Sequence, residues 1–143
     1  MTTGVTSVLS PATAAPAEPF VLVVDDHEPS LRTLRALVEA AGHACVAMPS
    51  APDALVYCDA RRPALVVTDL AMPRMDGQGL ARWLKARYPT TPILLVTGEL
   101  LDTASLSALR RTFADVLSKP LQVEGFLRLL DDLMPAAGPP PRA

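Results

Sequence analysis

Five short apolar runs punctuate the chain, and each is followed by a longer stretch in which apolar side chains return every three or four positions. The first run, Phe20-Val21-Leu22-Val23-Val24, is rich in β-branched residues and stops at Asp25 and Asp26. Leu31, Leu34, Val38 and Ala41 then keep helical spacing up to Gly42, a natural helix stop. Cys45-Val46-Ala47-Met48 reads as a second strand, and Ser50 with Asp53 marks the start of a helix over Ala51 to Ala60. Ala64-Leu65-Val66-Val67 is a third strand, stopped by Asp69, and Leu80, Trp83, Leu84 and Tyr88 stripe a helix that begins after Gly77. Ile93-Leu94-Leu95-Val96 ends at Thr97, a polar-capped helix follows from Asp102 to Arg111, and Val116-Leu117 precedes Lys119-Pro120. Val123, Phe126, Leu127, Leu130 and Met134 form the last helical stripe.

Strand then helix, repeated to the end, predicts an α/β fold. Runs without polar alternation belong to a parallel sheet covered on both faces, and right-handed crossovers make that sheet doubly wound. The predicted architecture is a five-stranded parallel sheet with helices on both faces.

Proline marks the limits. Of 15 prolines, Pro11, Pro16 and Pro19 precede the first run and Pro135, Pro139, Pro140 and Pro141 follow the last. The flanks are otherwise Ala, Thr, Ser and Gly, which bury little. A folded domain over 20–134 is expected, between a Pro/Ala/Thr-rich tail at 1–19 and a Pro-rich tail at 135–143. Too few residues follow Met134 for an output domain, so the expectation is a stand-alone domain, a shuttle or a piece of something larger.

Composition narrows the function. Half of the 143 residues are hydrophobic and 20% are charged, enough for a real core. A net charge of −2 argues against direct nucleic-acid binding, which needs a clustered basic face. Cys45 and Cys58 make neither a disulfide framework nor a zinc site, and are read as two buried thiols in a reducing compartment. No apolar run approaches the roughly 20 residues of a membrane span, and the uncharged start lacks a basic n-region. The expectation is a cytoplasmic protein without membrane association.

The candidate chemistry lies where the strands stop. In a doubly wound sheet, ligands bind beyond the carboxyl ends of the strands. Here those ends carry Asp25 and Asp26, Asp69, Thr97 and Lys119, all on one edge. One aspartate after a strand is ordinarily a turn residue or a helix cap. Four strands ending in acid, acid, hydroxyl and ammonium form a constellation. Clustered carboxylates call for a hard divalent cation such as Mg²⁺. One of them can attack phosphorus and become an acyl phosphate, with the ion, Lys119 and Thr97 meeting the phosphoryl charge.

These residues resemble the receiver domains of two-component response regulators. The matching positions are Asp25-Asp26, the run Asp69-Leu70-Ala71-Met72-Pro73-Arg74-Met75-Asp76-Gly77, Thr97, and Lys119-Pro120. The resemblance implies the flavodoxin-like strand order 2-1-3-4-5 and a cis Lys119-Pro120 bond. It implies that Asp69 accepts a phosphoryl group from a histidine kinase or histidine phosphotransfer protein. Asp26, Asp69 and the carbonyl of Ala71 would hold Mg²⁺, with Asp25 acting through water. Thr97 would be the switch hydroxyl, Lys119 would pair with the phosphoryl group, and a protein-interaction surface would respond. A monomer or weak homodimer is expected. Three positions depart from the family pattern: Val116 stands where Tyr or Phe is common, Phe113 where Gly often closes the fourth helix, and Gly98 where Ala is common.

Other residues have plainer readings. His27 is expected in a solvent-facing loop, His43 in a turn, Trp83 in helix packing, and Glu99 beside the site as a solvated cap of the fourth helix. The alternative is an aspartate-nucleophile, Mg²⁺-dependent phosphatase, but that pattern wants two aspartates separated by one residue, and position 27 is His27. A nucleotide-binding module is rejected because Asp25-Asp26-His27-Glu28 would repel phosphate.

Overall fold

The computed structural model describes residues 19–135. Apart from Pro19 and Pro135, the two expected tails lie outside the described residues. Within them the chain alternates β1 (Phe20–Val24), α1 (Glu28–Ala40), β2 (Ala44–Met48), α2 (Ala51–Ala60), β3 (Leu65–Asp69), α3 (Gly77–Arg87), β4 (Ile93–Thr97), α4 (Thr103–Thr112), β5 (Asp115–Ser118) and α5 (Val123–Leu133). The strands are all parallel, in the order β2-β1-β3-β4-β5. Both the predicted class and the strand order are observed.

Side-chain alternation along each strand divides the core in two. Phe20, Leu22, Val24, Val66, Ile93 and Leu95 face α2, α3 and α4, where Ala54, Leu80, Leu84 and Leu109 meet them. Val21, Val23, Leu65, Val67, Leu94 and Val96 face α1 and α5 through Leu34, Val38, Phe126 and Leu130. Every residue of β1, β3 and β4 is therefore buried, which is why these strands read as uninterrupted apolar runs. The edge strands β2 and β5 are only partly covered.

Local signals set the helix ends. Ser50 Oγ accepts from the Asp53 N–H at 3.2 Å and caps α2. α1 closes with a paired turn: the Gly42 N–H donates to the Glu39 carbonyl at 2.9 Å and the His43 N–H to the Val38 carbonyl at 3.2 Å. Gly42 sits at φ +94°, a conformation that costs other residues a steric clash. α4 ends without a glycine. Phe113 is extended there, with φ −98° and ψ 146°, and its buried ring anchors the turn.

Several expectations change in detail. His27 is exposed as expected, yet it is the N-cap of α1 rather than a plain loop residue, because Nδ1 accepts from the Ser30 N–H. Glu99 does not cap α4; Asp102 does, its Oδ1 accepting from the Ser105 N–H at 2.7 Å. Trp83 packs on the core as expected, with the Arg87 guanidinium 5.2 Å from its ring centre. Cys58 is buried and Cys45 half-buried, and burial pushes their thiols up to about 11 and about 12. No helix of the described residues is long and apolar enough to cross a membrane.

Candidate functional site

Because all the strands run the same way, their C-terminal ends share one edge. Register places Asp69 beside Val96 and Thr97 beside Ser118, so residues from three strands converge. Asp25, Asp26 and Asp69 each bring a carboxylate oxygen within 4.8 Å of the others. Asp25 and Asp69 are buried and Asp26 is exposed. Lys119 reaches in from the end of β5: its Nζ lies 3.0 Å from Asp25 Oδ2 and 3.7 Å from Asp69 Oδ1. The Lys119-Pro120 bond is cis, as the resemblance implies.

Each carboxylate is in a different environment. Asp25 Oδ1 accepts the His27 N–H at 2.9 Å while Oδ2 takes the ammonium, so both of its oxygens are occupied. Asp69 Oδ1 accepts the Leu70 N–H at 2.9 Å. Burial first, and then the Asp25 charge, hold the Asp69 carboxyl above its ordinary range; Lys119 and the Leu70 N–H oppose them. Thr97 is buried, and its Oγ1 accepts the Glu99 N–H at 3.0 Å. Its hydroxyl is tied to the loop that follows β4, with no hydrogen bond to Asp69 among the described residues. Ala71 is exposed in the loop after β3.

The loop after Asp69 is held from below. The Gly77 N–H donates to the Leu70 carbonyl at 2.8 Å, and Asp76 caps α3 through the Gly79 N–H, also at 2.8 Å. A Cβ on Gly77 would lie 2.3 Å from the Asp69 carbonyl oxygen, so only glycine lets α3 start this close to β3. Arg74, at φ +72°, turns the chain between them in a conformation uncommon outside glycine.

Sequence reasoning therefore named the carboxylates, the hydroxyl and the ammonium, and missed two supports. Thr68, fully buried, donates its hydroxyl to the Asp69 carbonyl at 2.9 Å. Ser30 places its Oγ 3.5 Å from Lys119 Nζ. A buried threonine inside an otherwise apolar run was the available signal for the first. For the second, a polar residue in the first turn of α1 carried none.

The doubly wound parallel sheet thus carries an acid cluster, a hydroxyl and a lysine on its C-terminal edge. Residues 21–131 match the response regulator receiver domain, and the chain belongs to that family. It is similar to the response regulator protein FleR of Pseudomonas aeruginosa, with 34% identity over 77% of this chain and 23% of that protein. It is 31% identical to the DNA-binding transcriptional regulator NtrC of Proteus hauseri over 78% of this chain and 24% of that one. The chain thus spans about a quarter of the length of these relatives. Among solved structures, the receiver domain of NtrX from Brucella abortus superposes with a TM-score of 0.74 at 25% identity, covering 82% of this chain and 99% of that one.

Proposed function

We propose that this domain works in a phosphorelay, taking a phosphoryl group onto Asp69 from a histidine kinase or histidine phosphotransfer protein and so switching a protein-interaction surface. The observation that carries this reading is the placement of Lys119 between Asp25 and Asp69. An ammonium there is positioned to meet charge on a phosphoryl group attached to Asp69. A carboxylate oxygen of Asp69 attacks phosphorus, and the bond from phosphorus to the donor nitrogen breaks, its electron pair leaving with the imidazole.

The donor set fits Mg²⁺. Three carboxylates within 4.8 Å, balanced by one ammonium, are hard oxygen ligands in excess of their counter-charge. Asp26, Asp69 and the Ala71 carbonyl would hold the ion, with Asp25, already committed to Lys119, acting through water. When bound, the ion neutralises part of the negative charge that nucleophile and phosphoryl group bring together.

Incubation with acetyl phosphate and Mg²⁺ is expected to add one phosphoryl group to the chain, as read by intact mass. The adduct should vanish in Asp69→Asn and fall sharply when EDTA removes the metal. Equal labelling of Asp69→Asn would refute the assignment. Steady turnover of an external phosphate ester would favour the aspartate-nucleophile phosphatase instead.

The signal is expected to leave through the loop after β4. A Thr97 hydroxyl drawn towards the phosphoryl oxygens must release or drag the Glu99 N–H it now binds. Val116, short and β-branched, has no long side chain to swing into vacated space. Amide shifts on adding a beryllofluoride mimic should therefore concentrate in 98–102. Shifts centred on Val116 with that loop silent would contradict this route.

A further inference from the structure

The ammonium of Lys119 has three N–H bonds, and three oxygens surround it: Asp25 Oδ2 at 3.0 Å, Ser30 Oγ at 3.5 Å and Asp69 Oδ1 at 3.7 Å. Two belong to carboxylates already assigned. The third comes from α1, 89 residues away in sequence. The geometry points to Ser30 as a positioning residue for Lys119, an inference that rests on the phosphoryl-acceptor reading of Asp69.

Ser30 is suited to this because its own hydroxyl is held. Ser30 Oγ lies 2.9 Å from His27 Nδ1, the atom that also accepts the Ser30 N–H as the cap of α1. With the hydroxyl proton directed at Nδ1, the oxygen lone pairs are free to face the ammonium. The helix cap and the lysine are then joined through one hydroxyl. A neutral acceptor offers something a third carboxylate could not: it fixes the direction of the lysine side chain without taking up its charge. That leaves the charge for the two aspartates and for whatever is transferred to Asp69. Lys119 needs such a guide, since its side chain is a quarter exposed and lines a cavity of about 220 Å³ with His27, Ser30, Thr33 and Leu34. A flexible ammonium beside open space has other rotamers available.

The chain has two lysines, Lys85 on α3 and Lys119, which makes a direct test possible. With isotope-labelled lysine in the full chain, Ser30→Ala should shift the side-chain Nζ and Cε signals of Lys119 and leave those of Lys85 in place. Ser30→Thr, which keeps the hydroxyl, should restore the wild-type position. With saturating acetyl phosphate and Mg²⁺, Ser30→Ala should lower the maximal labelling rate about 3- to 10-fold, the worth of one modest hydrogen bond. The half-saturating acetyl phosphate concentration should stay the same, and Ser30→Thr should recover the rate. An unmoved Lys119 signal together with a wild-type rate in Ser30→Ala would overturn the role of Ser30 alone. A wild-type chain that fails to label would overturn the phosphoryl-acceptor reading, while the lysine signals would still decide whether Ser30 holds Lys119.

Discussion

In metal-free buffer, Asp69→Asn is expected to be more stable than the wild type, and Lys119→Met less stable. Three carboxylates crowd the edge of the sheet and one ammonium offsets them. Removing the Asp69 charge removes its repulsion with Asp25 and the cost of burying it, the two largest influences on that carboxyl. A gain of about 1–2 kcal/mol is reasonable at an effective dielectric near that of a protein surface. Removing Lys119 does the reverse, because the fully buried Asp25 side chain loses the ammonium that offsets it. Breaking a buried pair costs about 3–5 kcal/mol, but Lys119 is a quarter exposed and water reaches the site, so about 1–2 kcal/mol is expected. Urea titrations with EDTA would measure both. Adding Mg²⁺ should then stabilise the wild type more than Asp69→Asn, by mass action on the folded state. A destabilised Asp69→Asn beside a neutral Lys119→Met would show that the cluster is not held in electrostatic tension.

The same residues show what a sequence can and cannot reveal here. β1, β3 and β4 are legible because a strand buried on both faces must be apolar throughout, and the residue that ends each run then stands out. Asp25, Asp69 and Thr97 were found in that way, from chemistry at strand ends. The order of the strands is different. Strand–helix alternation restricts it without choosing one arrangement, and the order 2-1-3-4-5 came from the resemblance. Ser30 was invisible because its partner lies 89 residues away, and such a contact exists only once α1 and the end of β5 are packed. His27 was legible as exposed, but its cap bond depends on where α1 begins, and Glu28-Pro29 sets that start just after it. Glu99 and Asp102 both lie near the start of α4. Asp102, where the polar-capped helix is predicted to begin, is the cap.

Gly77 shows the same limit on the structural side, and Gly125 supplies its contrast in stability. In the sequence it stands just before the predicted third helix, but its role is clearance. The added Cβ of an alanine would lie 2.3 Å from the Asp69 carbonyl oxygen and 3.2 Å from Leu70 Cα, all backbone atoms that cannot rotate away. Relief requires the first turn of α3 to retreat from β3 by roughly 1 Å to reach ordinary contact. That retreat strains the Gly77 N–H bond to the Leu70 carbonyl and shifts the loop that carries Ala71. Gly77→Ala should therefore cost about 1–3 kcal/mol, a fall in Tm of about 4 °C per kcal/mol. Gly125 is the control: it lies in α5, and a Cβ there meets nothing within 4 Å. Gly125→Ala should raise stability by up to about 1 kcal/mol, through helix propensity and a less flexible unfolded chain. Well below its own Tm, Gly77→Ala should still label slowly with acetyl phosphate. A displacement of about 1 Å at a reacting group is worth up to about 100-fold in rate. Matching melting curves for the two alanine variants, or a wild-type labelling rate in Gly77→Ala, would mean that the α3 start does not position Asp69.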